Sequence, residues 1–197
     1  MSRLLETVKI RDGSVLNAAF HNERMNRSRK ELFGLNDFID LEAFITPPAH
    51  AGKVMKCRVV YSEHIHDITY AEYRKKAVRS LRLVHDDAVD YGHKYEDRKQ
   101  LSLLLGRKGN ADEILIVKNG CLTDVSYANI AFFDGRRWLT PAEPLLAGTK
   151  RALLVQQGLL IPEEMKASDL RLFSRAMLVN AFLDFEDRVE VDVCRIG

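Results

Sequence analysis

Apolar positions along the chain gather around three turn signals of one kind. Asp12-Gly13 separates Thr7-Val8-Lys9-Ile10 from Ser14-Val15-Leu16, Asn119-Gly120 separates residues 114–117 from Cys121-Leu122, and Asp134-Gly135 separates residues 130–133 from Trp138-Leu139. Glycine after Asn or Asp accepts the positive φ of a tight hairpin turn. With β-branched or aromatic residues flanking each pair, the pattern predicts three β-hairpins. Residues 57–61, 65–70 and 81–84 read as further strands. Helical patterns fall elsewhere: residues 21–32, with Met25 and Leu32 as apolar contacts and Gly34 as a stop; residues 101–105, ending at Gly106; and residues 150–157, closing at Gly158. Pro47-Pro48 marks a loop. Strands and helices are mixed rather than strictly alternating, which predicts an α+β fold and not a doubly wound sheet.

A polar, charged stretch over residues 86–100 divides the chain almost in half. It predicts a smaller α/β subdomain over 1–92, an interdomain segment over 93–100 and a larger subdomain over 101–197, and clefts between subdomains are favoured ligand sites. Composition narrows the picture only slightly. In 197 residues, 46% are apolar and 29% charged, which suits a globular chain and excludes wholesale disorder. Thirty Lys+Arg against 28 Asp+Glu leave +2, so no strong field points to nucleic acid or an anionic membrane. The longest apolar runs are strand-length, so no membrane span is expected, and Arg3, Glu6 and Lys9 interrupt any leader-like stretch. Three widely spaced cysteines, Cys57, Cys121 and Cys194, predict buried thiols in a reducing cytoplasm rather than disulfides or a metal site.

Candidate chemistry is sparse. His64 and His66 would share one strand face and His85 precedes Asp86-Asp87, but neither set has metal-ligand spacing, so no metal is expected. Gly-x-Ser-x-Gly, Walker and dinucleotide-glycine motifs are missing, which leaves serine hydrolases, nucleoside triphosphatases and Rossmann reductases without support. Residues 145–151, Leu-Leu-Ala-Gly-Thr-Lys-Arg, lead into a helix. A glycine there lets backbone N–H groups approach an anion such as phosphate, although many loops ending in glycine simply begin helices. Upstream, residues 122–130 place Asp124 at a strand end, where it can pair with a protonated ring nitrogen, and Asn129 where it can fix the loop. Trp138-Leu139-Thr140-Pro141 then runs into the glycine turn.

Together these stretches resemble the class IV aminotransferase family, pyridoxal-phosphate enzymes of fold type IV. That family includes branched-chain and D-amino-acid aminotransferases and aminodeoxychorismate lyase. The matching text is Ala111-Asp112-Glu113, Leu122-Thr123-Asp124 through Ala128-Asn129, Leu139-Thr140-Pro141, Gly148-Thr149-Lys150-Arg151 and Val179-Asn180-Ala181, preceded by Glu6-Thr7-Val8-Lys9 and His21-Asn22-Glu23-Arg24. The resemblance covers nearly the whole chain in the right order. It implies two subdomains of the D-amino-acid aminotransferase-like kind with a cofactor cleft between them, bound pyridoxal 5'-phosphate, a small-molecule amino substrate and a cytoplasmic homodimer.

Roles follow from the resemblance position by position. Arg24 matches the arginine that grips the cofactor phosphate, though alone it reads as a helix-face arginine. Thr149 and Lys150 match the positions whose amides complete the phosphate cup, and Asn180 and Ala181 match the remaining phosphate-side turn. For the Schiff-base lysine, Lys94-Tyr95-Glu96-Asp97-Arg98 fits a Lys-x-x-Asn pattern with Asp97 in place of Asn. Lys99 leaves too short a gap to Ala111, so spacing favours Lys94. Freed of the cofactor, Lys94 would move the α-proton as general base. Two departures stand out. Asp124 replaces the usual Glu, one methylene longer, and the chain begins at the hairpin without the segment that ordinarily precedes it. Asp97-Arg98, Ala111-Asp112-Glu113 and Asn180-Ala181 lean toward lyase chemistry, with transamination left open. The departures motivate one alternative, a degenerate scaffold that binds a ligand or partner without pyridoxal chemistry. An unrelated protein with chance motifs is the other.

Overall fold

The structure is a computed structural model that describes residues 2–48 and 52–197. Its residues form two compact units, Met1–Lys75 with His93–Asp97, and Lys76–Gly92 with Arg98–Gly197.

The first unit is an antiparallel sheet with one long helix. Strand β1 (Leu4–Arg11) turns into β2 (Ser14–Val15) through Asp12 and Gly13, both at positive φ, as a two-residue hairpin requires. Strands β3 (Val54–Tyr61) and β4 (Ile65–Glu72) complete the order β2-β1-β3-β4. Helix α1 (Ala18–Phe33) starts three residues earlier than its apolar pattern suggests, because Asn17 takes the left-handed conformation and turns the chain into it. Gly34, also left-handed, closes it by donating its N–H to Lys30 O. Leu4, Val8 and Ile10 of β1, Met25 of α1, and Cys57, Val59 and Tyr61 of β3 form one apolar core. Each large apolar side chain so buried contributes about 1.5–3 kcal/mol. Residues 93–97 return to this unit and lie along the start of β1: Leu5 N donates to Lys94 O at 2.9 Å, and Tyr95 bridges Leu4.

The second unit holds strands β5 (Leu81–His85), β6 (Glu113–Lys118), β7 (Cys121–Val125), β8 (Ala128–Phe133), β9 (Trp138–Pro141), β10 (Ile161–Glu163), β11 (Arg175–Val179) and β12 (Glu190–Asp192). They follow the order β10-β9-β8-β7-β6-β5, with β5–β6 and β9–β10 parallel, β11 antiparallel to β8, and β12 on β11. Helices α2 (Lys99–Leu105) and α3 (Thr149–Gln156) pack beside them. Asn119 and Gly120 both have positive φ, the two-residue turn the sequence predicts. The third hairpin differs. Its connection spans four residues, and Asp134 Oδ1 accepts from the N–H groups of Arg136 and Arg137, so a side-chain turn replaces the tight glycine one. The thiols also depart from expectation. Cys57 is buried but Cys121 only partly so, and Cys194 is exposed because it lies on a short turn after the last strand.

Candidate active site

Two groups of polar side chains are buried, one in each unit, and each is built by the local fold.

In the first unit the period of α1 puts His21 and Arg24, three residues apart, on the face toward β1. There they meet Glu6, which has no solvent exposure. Arg24 donates from Nε to Glu6 Oε1 at 2.8 Å and from Nη2 to Oε2 at 2.5 Å, while His21 Nδ1 lies 2.6 Å from Oε2. Burial pushes the Glu6 carboxyl up, but the Arg24 charge and the hydrogen bonds from His21 and Arg24 outweigh it and hold the group at about 2. His21 is lowered below its ordinary value, first by burial and then by the charges of Arg24 and Lys94, although Glu6 opposes both. The histidine is therefore neutral at neutral pH, with Nδ1–H as the donor. Lys94 acts on the same imidazole as Arg24, so the structure brings these two residues into one electrostatic neighbourhood.

In the second unit the β7–β8 pairing sets Asp124 opposite Asn129. Asn129 Nδ2 donates to Asp124 Oδ1 at 2.8 Å and to Leu146 O at 2.9 Å, and Leu146 N donates to Asp124 Oδ2 at 2.9 Å. Hairpin and glycine loop are thereby laced together, and Asn129 fixes the loop as its position suggests. Gly148 follows as the N-cap of α3, and its missing side chain leaves the first-turn amides without a cap from that residue. Asn129 is paired with Val179 across β8 and β11, which delivers Asn180 and Ala181 to the same end of the sheet. Lys150, the second residue of α3, reaches Asp184 at 2.9 Å and ties the helix start to that turn. Within this unit Asp124, Thr149, Lys150, Asn180 and Ala181 thus cluster around one strand end.

Asp124 is almost fully buried. Burial raises its carboxyl to about 6 against the lowering effect of its hydrogen bonds to Asn129 and Leu146. Folding therefore favours its protonated form. Its contribution is fully present below about pH 4 and falls as pH rises through about 6, by on the order of 3 kcal/mol. Asp124→Asn is expected to flatten this slope in denaturant titrations between pH 4 and 7, despite losing one of two acceptor oxygens. An unchanged slope would assign the pH dependence to another group.

Comparison with known proteins now decides the family. The sequence model described as amino-transferase class IV matches residues 3–185. The chain belongs to that family. A protein of Haemophilus influenzae without an assigned function is 34% identical over 184 residues, covering 92% of this chain and 98% of its own. A crystal structure of a proposed 4-amino-4-deoxychorismate lyase from Haemophilus somnus 129PT superposes with a TM-score of 0.87 at 32% identity, covering 92% of this chain and 96% of that one. A proposed amino-acid aminotransferase from Mesorhizobium loti has a TM-score of 0.78 at 20% identity over all of both chains, a likeness of fold. The α+β architecture of this member of the family is thus the fold type IV one, and the family uses pyridoxal phosphate.

Several participants escape sequence reading in this aminotransferase-family chain. Asp184, the partner of Lys150, has no motif around it. Arg98, singled out only as Lys94's neighbour, donates to Ser126 O at 2.5 Å and steadies the turn after Asp124. Lys99, the rejected candidate, opens α2. His66 pairs with Ser62 at 2.7 Å. Among the described residues no group of three or more His, Cys, Asp or Glu side chains is placed to hold a metal ion. Nor, among them, is any helix long and apolar enough to cross a membrane.

Proposed function

We propose that the chain is a pyridoxal-phosphate-dependent enzyme acting on a small amino substrate, by 4-amino-4-deoxychorismate lyase-like or aminotransferase chemistry. The observation that carries this reading is the buried Arg24 held by Glu6 with Lys94 acting on the same histidine. A dianionic phosphate and a carbonyl-bearing ring need such a pair, a fixed guanidinium and a lysine amine. The second unit's donor set fits the same group: an α-helix start after a glycine N-cap favours phosphate through its backbone N–H groups and dipole.

In this reading Arg24 is the phosphate-binding side chain of the first unit, and the Thr149 and Lys150 amides with the Asn180–Ala181 turn are the phosphate-binding donors of the second. Asp124 would serve the ring nitrogen, its carboxylate already fixed by hydrogen bonds from Asn129 and the Leu146 N–H. The Lys94 amine would hold the cofactor, and the same amine would serve as the general base that takes the proton from the substrate α-carbon. When bound, the cofactor supplies an electron sink for the carbanion formed there. The 32% identical relative from Haemophilus somnus supports the lyase branch, in which loss of pyruvate leaves 4-aminobenzoate. The proposal includes a cytoplasmic homodimer with neither nucleic acid nor membrane as partner, in keeping with the net charge of +2.

Purified protein mixed with pyridoxal phosphate is expected to show an absorbance band near the visible edge that borohydride removes while fixing the cofactor to the chain. Protein that stays colourless and takes up none overturns the reading. Pyruvate release against amino-group exchange then separates the two branches.

A further inference from the structure

The Glu6 carboxylate is built into the fold more expensively than charge neutralisation requires. A carboxylate that merely balanced a helix arginine could do so at the surface, where both partners stay hydrated. Here acid, imidazole and guanidinium are all taken out of water, beside a core that contains Leu4, Val8 and Met25. Replacing such a buried set with apolar residues of similar volume is often neutral or stabilising, so stability gives no reason for it. Geometry does. The carboxylate engages Arg24 side-on through Nε and Nη2, which fixes the plane of the guanidinium as well as its position. His21 donates to the Oε2 that receives Nη2, so the carboxylate cannot rotate about its own axis without losing a bond.

We propose that Glu6, braced by His21, is the positioning residue that aims Arg24 at the phosphate of the cofactor. The inference rests on the pyridoxal phosphate reading and adds to it two residues that touch neither cofactor nor substrate. An arginine carries much rotamer freedom, and ordering it beforehand moves that entropic cost from binding to folding. Glu6 stays ionised across the working range because Arg24 and His21 hold it far below neutrality, so the aim is constant with pH.

The test compares two ligands that differ by one group, pyridoxal phosphate and pyridoxal, on wild type, Glu6→Gln and His21→Asn. Equilibrium affinity is read from absorbance titration and protein fluorescence. Glu6→Gln is expected to weaken pyridoxal phosphate by roughly ten- to a hundredfold, the range for one lost charge-assisted hydrogen bond, and pyridoxal by less than about twofold. His21→Asn is expected to weaken pyridoxal phosphate by about three- to tenfold with the same selectivity. Inorganic phosphate is expected to raise the melting temperature of the wild-type protein more than that of Glu6→Gln. Equal losses for both ligands, or no loss for either, overturn the positioning role. Should Glu6→Gln fail to fold, His21→Asn leaves the charge pair intact and carries the same comparison: selective loss supports the role, and equal loss overturns it. A wild-type protein that takes up neither ligand overturns the pyridoxal phosphate reading itself, and the inference with it.

Discussion

Lys94→Ala is expected to abolish the borohydride-fixed cofactor and to lower turnover roughly a thousandfold or more, the scale of removing a covalent catalyst and its proton-transfer role together. Lys99→Ala is expected to retain both. The two lysines are five residues apart but differ in setting. The backbone at Lys94 is locked to β1, with its carbonyl accepting from Leu5 N at 2.9 Å and the next residue bridging Leu4. A lysine used as nucleophile needs such a fixed origin for its flexible stem. Lys99 instead opens α2, exposed to water. Lys94 is half-buried and Lys99 exposed, so stability is expected to change by about 1 kcal/mol or less. Mass spectrometry of the reduced protein reads the outcome; an adduct that survives in Lys94→Ala and vanishes in Lys99→Ala reverses the assignment.

Gly148→Ala is expected to cost about 2–4 kcal/mol in chemical denaturation and to weaken cofactor uptake at the same time. A β-carbon at this position would lie 1.8 Å from Asn129 Oδ1 and 3.0 Å from its Cγ. Asn129 has little room to yield, because its amide bonds both the Asp124 carboxylate and Leu146 O. Moving it breaks the lacing between the β7–β8 hairpin and the loop that opens α3, and leaves buried Asp124 short of a donor. The φ of Gly148 is ordinary, at −72°, so the requirement for glycine here is one of space and not of backbone conformation. Wild-type stability in Gly148→Ala would show that the loop can move away from Asn129.

These two residues differ in how they could be read. Gly148 stands in a motif, and its use as a helix start was legible from Gly-Thr-Lys-Arg and the helix formers that follow. The reason it must be glycine was not, since Asn129 is nineteen residues away and meets it only across the intervening β8–β9 hairpin. Asp12-Gly13 and Asn119-Gly120 were legible as hairpins for a local reason: positive φ at both positions is a property of those residues themselves. Asp134-Gly135 carried the same signal yet made a four-residue turn, because the Asp134 side chain could reach two backbone N–H groups downstream. Arg24 was singled out through its His-x-x-Arg setting, but the sequence held no reason to connect it to Glu6, eighteen positions earlier.

By itself, then, the sequence determined the α+β class, the hairpins, the order of motifs and hence the family, because period, turn chemistry and motif spacing act over a few residues. Tertiary structure alone decided which charges are buried and with whom. A carboxylate becomes the fixed support of an arginine, or a lysine's ammonium acts on a histidine more than seventy residues away, only when strand register and helix face bring them together out of water. In that setting charge and hydrogen bonding reach their full strength, and no local pattern records it.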